Sequence, residues 1–443
     1  MQEKNVQQAR LRDMEPKFRG RAVVVIVIVM IMMFLNGSAA SDSINVITNY
    51  FPNAYGWSQT SVALPQTIGS WASVPLIALA AYMFARMKTL NILRVTFLIQ
   101  GLAIIGIGLT AGNYAAYLVF AIIVRLCSTF NTFGTYKMCT DWFNSWRGRV
   151  LGIVTIAGPI SSASTAGVLT AGNAAIGFGP TFIIFGAVVL VFCVACTFVS
   201  RSMPEDYGLY VDGIARTKEE LKALDADMDT PGVWSLKAML RTRSYWIITL
   251  ALAFFAFAMV GTMQNFINIC MSRGLELPHA IIALSVGSLL GIPISMISGV
   301  IDDKFGTNKA AFFVWLLMFG LILCIIFVSP ANTWLIYVAT FCVGACTGCF
   351  PNINPSIKAY SFGRKAFVAA NSVSSMIENV MMGLPLMYLA LMFDIFGDYK
   401  LAYSILAVIT LVFGVLLLTV KPMAPEVIGV EKAREYAEKA LGN

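Results

Sequence analysis

Residues 281–311 read IIALSVGSLLGIPISMISGVIDDKFGTNKAA. The first part is an apolar run of about twenty residues, enough to cross roughly 30 Å of hydrocarbon at 1.5 Å per helical residue. A compact charged turn follows, Gly299-Val-Ile-Asp-Asp303-Lys304-Phe-Gly306-Thr-Asn-Lys309. Gly299 lets two helices approach closely, and Gly306 permits a backbone angle that the turn needs. Asp303 can cap a helix start or pair with a base. Lys304 and Lys309 hold the turn on the cytoplasmic face of a membrane.

A second copy lies 218 positions earlier: Gly287-Ser288 falls on Gly69-Ser70, and Lys304 on Arg86. At nearly the same offset Arg364 falls on Arg147. An offset near half the chain, with spans in matching order, predicts a duplicated helical bundle.

Of the 443 residues, 58% are hydrophobic and only 12% charged, which excludes an ordinary soluble domain. We read twelve apolar spans. The first is Ala22–Tyr50, the tenth Trp334–Phe350 and the eleventh Phe367–Phe393. The expected fold is an all-α membrane protein: twelve transmembrane helices in two six-helix bundles related by an internal repeat. The boundaries expected are a cytoplasmic tail over 1–21, a bundle over 22–200, a cytoplasmic linker over 201–244, a second bundle over 245–420 and a tail over 421–443. Within the linker, Lys218–Asp225 reads as a short amphipathic helix on the membrane surface, and Val427–Gly442 as a solvated charged tail.

The formal charge of +8 is a topology signal rather than a nucleic-acid footprint. Bases cluster in the tails and in the connections after even-numbered spans, among them Arg86, Lys88, Arg147, Lys304, Lys309 and Lys358. The opposite connections hold only Arg273 and Lys400. That bias puts both termini in the cytoplasm and the protein in a cytoplasmic membrane as a multi-pass chain. The nine cysteines lie mostly within apolar spans and read as packing residues. With one histidine, His279, there is no metal pattern, and no phosphate-binding loop or other sign of an enzyme or a cofactor.

The turn Gly299–Lys309 resembles the G-x-x-x-D-[RK]-x-G-x-x-[RK] signature of the major facilitator superfamily. The first-half copy departs from it: Ala85 replaces the aspartate and Lys88 the second glycine. Three stretches resemble the oxalate/formate antiporter-like and monocarboxylate porter branches: Gly56-Trp57-Ser58-Gln59-Thr60, Trp142–Ile153 (WFNSWRGRVLGI) and Met203–Gly213 (MPEDYGLYVDG). Arg125 resembles the arginine of the family's fourth-helix motif, with Ser128 and Thr129 in place of Gln and Gly. The resemblance implies a conformational latch from Gly299, Asp303, Lys304, Gly306 and Arg147. It also implies a transport path lined by the first, fourth, seventh and tenth helices.

Three ionisable groups fall at membrane depth: Asp42, Arg125 and Glu378. Each costs on the order of 3 kcal/mol to insert, so each is expected to face a partner or a wet path. A guanidinium fork matches a carboxylate, which makes Arg125 the candidate for an organic anion, or else the partner of a structural ion pair. Asp42, Gln264, Asn265 and Asn352 complete the expected substrate site, with Asp42 and Glu378 as proton-coupling carboxylates. The eighth span has no base, so a monocarboxylate is favoured over a dicarboxylate. The Met- and Phe-rich spans suit an acid with a bulky apolar body. The expected function is secondary transport of such an acid by alternating access, coupled to a proton or to a counter-anion, by a monomer in the lipid bilayer. The alternatives are a proton-driven drug or metabolite exporter and a non-transporting sensor of the same fold.

Overall fold

The computed structural model describes residues 16–143, 147–210, 233–328, 332–363 and 366–441. The side chains of Ala85, Arg147 and Asp303 lie outside the described set, as do Gly299 beyond its helical backbone, Lys218–Asp225 and Asp212-Gly213. The helices, in chain order, are α1 (Pro16–Gly37), α2 (Ile44–Tyr55), α3 (Gln59–Arg86), α4 (Thr89–Leu109), α5 (Tyr114–Trp142), α6 (Arg147–Val154), α7 (Ala157–Ile176), α8 (Phe178–Val199) and α9 (Leu236–Leu240). They continue as α10 (Arg243–Ser272), α11 (Leu277–Phe305), α12 (Thr307–Phe327), α13 (Trp334–Phe362), α14 (Phe367–Met382), α15 (Pro385–Phe396), α16 (Lys400–Leu418), α17 (Pro425–Ile428) and α18 (Val430–Leu441). A π-helical turn, Ser38–Asp42, joins α1 to α2 in one span.

Eleven helical stretches among the described residues are long and apolar enough to cross a membrane. The 28-residue α3 supplies the twelfth length, about 42 Å at 1.5 Å per residue. The repeat survives in the element bounds: α12 begins and ends 218 positions after α4. The degenerate turn differs as its sequence implies. Gly306 joins α11 to α12 at φ 89°, ψ 154°, a region open essentially to glycine alone. Lys88 joins α3 to α4 at φ −62°, ψ 129°, ordinary extended backbone.

Two spans differ from the sequence reading. The apolar run of the tenth span stops at Phe350, yet α13 runs on through Pro351 and Pro355 to Phe362. Proline is tolerated inside a membrane helix when neighbouring groups satisfy the freed backbone. Lys358 is therefore a buried helix residue and not part of a connection. The eleventh span breaks at Gly383-Leu384, and Pro385 starts α15.

The chain divides into two compact units. Unit 1 holds Met1–Ser43, Pro75–Ser161 and Val168–Asp225. Its centre is the α4–α8 pair, which meets through glycines: a Cβ on Gly101 would lie 2.6 Å from Leu190 Cβ, and one on Gly108 2.7 Å from Gly179 O. The segment after α8 clasps the same unit. Lys88 pairs with Asp206 at 2.9 Å, and Leu90 N donates to Ser202 Oγ at 3.2 Å. Arg21 and Arg201 sit over the Tyr207 ring, 4.7 and 4.8 Å from its centroid.

Unit 2 holds Ile44–Val74, Ser162–Gly167 and Ala226–Asn443. Here α11 and α13 pack backbone to backbone. A Cβ on Gly344 would fall 1.6 Å from Gly287 O, and one on Gly348 2.0 Å from Gly291 O. The charged tail is docked, contrary to the solvated reading. Ala433 and Ala437 of α18 are buried, and Arg241 of α9 donates to Leu441 O at 2.7 Å. The stripe of small residues on α18 gives this helix a packing face, and Arg241 satisfies a carbonyl at its C-terminus.

Candidate functional site

In unit 1 the polar centre is built on the π-helical turn of the first span. Such turns present side chains that a regular helix would not, and they recur at functional sites. Asp42 is buried there and accepts a hydrogen bond from Ser161 of α7. Ser161 Oγ also lies 2.9 Å from Ser38 Oγ. Gly37 leaves the space: a Cβ on it would stand 3.3 Å from Ser161 Oγ.

Arg125 lies in the N-terminal half of α5 and is half-buried. The α1–α5 pair is antiparallel, with Phe18 against Trp142 and Asn36 Nδ2 donating to Thr132 Oγ1 at 3.0 Å. Counting from Asn36 toward Asp42 and from Thr132 toward Arg125, the two come to one level, about 10 Å further along. The structure thus brings two of the expected site residues to the same depth of one unit.

A buried amide chain also ties α1, α4 and α5 together. Gln100 Nε2 donates to Asn36 Oδ1 at 3.1 Å, and Asn131 Nδ2 donates to Gln100 Oε1 at 2.8 Å. Beside α1, Ile31, Phe34, Leu35, Ile160, Val188 and Phe192 line an apolar cavity of about 330 Å³.

The buried charge of unit 2 is a pair that sequence reading missed. Lys358 Nζ of α13 donates to Glu378 Oε1 of α14 at 2.8 Å and to Asn371 Oδ1 at 2.8 Å. Ser374 Oγ donates to Glu378 Oε1 at 2.7 Å, and Asn354 Nδ2 to Oε2 at 2.8 Å. Both carboxylate oxygens are engaged by donors. The signal that could have found Lys358 is its place six residues after Asn352, within helical reach of Glu378 once the prolines are read as internal.

The other expected residues of unit 2 are dispersed. Gln264 and Asn265 of α10 are buried, and Asn268 Nδ2 donates to Asn265 Oδ1 at 2.7 Å and to Thr48 Oγ1 of α2 at 3.2 Å. Asn352 is exposed and donates to Ser295 Oγ of α11 at 2.8 Å. Of the latch residues, Lys304 is exposed and Gly306 occupies the turn, while Gly299, Asp303 and Arg147 lie outside the described side chains. Among the described residues no cluster of His, Cys, Asp and Glu could hold a metal.

Long apolar helices in two glycine-packed units, with buried charged residues inside the spans, make this a multi-pass helical membrane protein. The sequence profile of the Major Facilitator Superfamily matches residues 24–385, and the chain belongs to that superfamily. It is a transporter-family protein, not an enzyme. Solved structures share the fold. A bacterial homologue of the human lysosomal transporter Spinster, inward-facing and unoccupied, matches with a TM-score of 0.64 at 16% identity, over 96% of this chain and 94% of that one. The nucleoside transporter NupG matches with a TM-score of 0.68 at 12% identity, over 89% of this chain and 98% of that one. No curated protein sequence matches the chain.

Proposed function

We propose that the protein moves an organic monocarboxylate across the cytoplasmic membrane by alternating access of its two six-helix halves, 22–200 and 245–420, with both termini cytoplasmic. The observation that carries this reading is the placement of Arg125 at the level of Asp42. Glu378 is already taken by Lys358, so that cation is compensated inside unit 2. Arg125 supplies a guanidinium fork inside an apolar span, the geometry that matches a substrate carboxylate.

Coupling follows from the same group. A carboxylate drawn to Arg125 changes the field at Asp42, which favours proton uptake there. The apolar cavity beside α1 supports an acid with an apolar body.

The test is a thermal-shift screen of the purified protein in detergent against monocarboxylates, from short acids to aromatic and steroid acids. A ligand at 100 times its Kd stabilises a folded protein by about 2.7 kcal/mol. The expected result is a carboxylate hit that disappears in Arg125→Ala. Shifts from cations or neutral drugs alone, or an unchanged hit in folded Arg125→Ala, would refute the reading.

A further inference from the structure

Within unit 2, α3 and the α14–α15 segment run side by side in opposite directions. Four contacts set the register. Asp394 Oδ1 accepts from Gln59 N at 3.2 Å and its Oδ2 from Thr60 N at 2.9 Å. Ala63 packs with Leu386 and Ala390. A Cβ on Gly383 would lie 2.7 Å from Ser70 Cβ. Trp71 Nε1 donates to Val380 O at 3.2 Å. Residue numbers rise on α3 as they fall on the partner.

Gln59 and Thr60 are the first two residues of α3, so their N–H groups have no intrahelical acceptor. The helix has its own cap for the next free donor, since Ser58 Oγ accepts from Ser61 N at 3.1 Å. Asp394, 335 positions away from Gln59, satisfies the other two and sets a negative charge on the positive end of the helix dipole. Between Asp394 and Trp71 the seam carries the small residues Ala63, Ala390, Ser70 and Gly383, with Leu386 packed against Ala63. The polar tie from Asp394 is what holds the start of α3 at this end of the seam.

We propose that Asp394 is a lock on this seam: its carboxylate clasps the start of α3, and the seam opens when that clasp breaks during the transport cycle. The inference rests on the chain being a transporter and not on the carboxylate reading.

The test needs no substrate. Ala63 is fully buried beside the clasp, so Ala63→Cys is a near-isosteric reporter. The described native cysteines are buried or nearly so, which leaves the reporter as the responsive thiol. Permeabilised membranes are treated with a polar maleimide in the wild-type, Asp394→Asn and Asp394→Ala backgrounds. Asn keeps the shape and one acceptor but loses the charge. The expected labelling rate rises severalfold with Asn and further with Ala, while melting temperatures in detergent stay close to one another. Equal rates in all three would show that Asp394 only caps a helix, and would overturn the proposal. A second arm joins Gln59→Cys to Asp394→Cys with a short bismaleimide. Cross-linking should cut labelling of Ala63→Cys at least tenfold, and an undiminished rate would also overturn it.

Discussion

Lys358 Nζ sits 2.8 Å from Glu378 Oε1, and the two side chains are only 3% and 5% exposed. Removing one partner of such a pair strands an uncompensated charge, which costs about 3–5 kcal/mol, whereas replacing both by neutral groups is often close to neutral. We expect Lys358→Met alone to destabilise the folded protein by about that amount. The double variant Lys358→Met with Glu378→Gln should recover most of the loss. Denaturation of all four proteins in one detergent closes the cycle. If the two single effects simply add in the double variant, the pair is not coupled.

Gly344 and Gly287 set the separation of α11 and α13. A methyl group on Gly344 would overlap Gly287 O at 1.6 Å, and backbone on both sides leaves no flexible atom to yield. Helix propensity works the other way, since alanine gains about 1 kcal/mol over glycine in a helix. Overpacking of a tight interface costs about 1–3 kcal/mol or more, so it wins. Gly344→Ala should lower the melting temperature. Gly20→Ala, where a Cβ meets nothing within 4 Å, should leave it unchanged or raise it. Equal behaviour of the two variants would show that the helices slide apart freely.

How much of this was legible in the sequence depends on the kind of signal. The repeat was, because apolar length and charged turns are properties of the chain itself: α4 and α12 share bounds at the offset read from Gly69-Ser70 and Gly287-Ser288. The placement of Asp42, Arg125 and Glu378 inside apolar helical spans was also legible. The partner of Glu378 was not. The apolar run of the tenth span ends at Phe350, which put Lys358 in a connection, whereas the helix itself runs on to Phe362. Ser161, Asn36, Gln100 and Asn131 were invisible for another reason. A single small polar residue in an apolar span carries no local mark of what it will face, and only packing shows which of them converge.

The two turns of the repeat make a matched test of backbone strain. Gly306 has φ 89° and ψ 154°, where a side chain costs about 1–3 kcal/mol. Lys88 stands in the equivalent turn at an ordinary angle. Gly306→Ala should therefore destabilise by that amount, although a Cβ there meets nothing within 4 Å. Lys88→Gly should lose only the exposed pair with Asp206, worth less than about 1 kcal/mol and weaker in high salt. Melting curves at low and high salt separate the two effects. Salt-sensitive loss in Gly306→Ala would count against a strain origin.

Gln100 is fully buried and bridges Asn36 Oδ1 and Asn131 Nδ2. Leucine has a similar size, so Gln100→Leu keeps the packing of α1, α4 and α5 and removes both bonds. Two expectations compete. Interhelical hydrogen bonds in membranes have averaged only about 0.6 kcal/mol, because released groups find other partners. A buried group left with no partner costs about 1–3 kcal/mol. Asn131 is fully buried, and its Oδ1 is already engaged by Thr96, so its freed amide has few alternatives. Asn36 Nδ2 keeps Thr132, which leaves its Oδ1 stranded. We therefore expect Gln100→Leu to cost about 2 kcal/mol or more, read from denaturation in detergent. A further Asn131→Leu substitution should then cost much less than it does alone, because its main partner is gone. A loss near 0.6 kcal/mol, with the two effects additive, would show that the amides rearrange and that the chain is not a fixed tie between these helices.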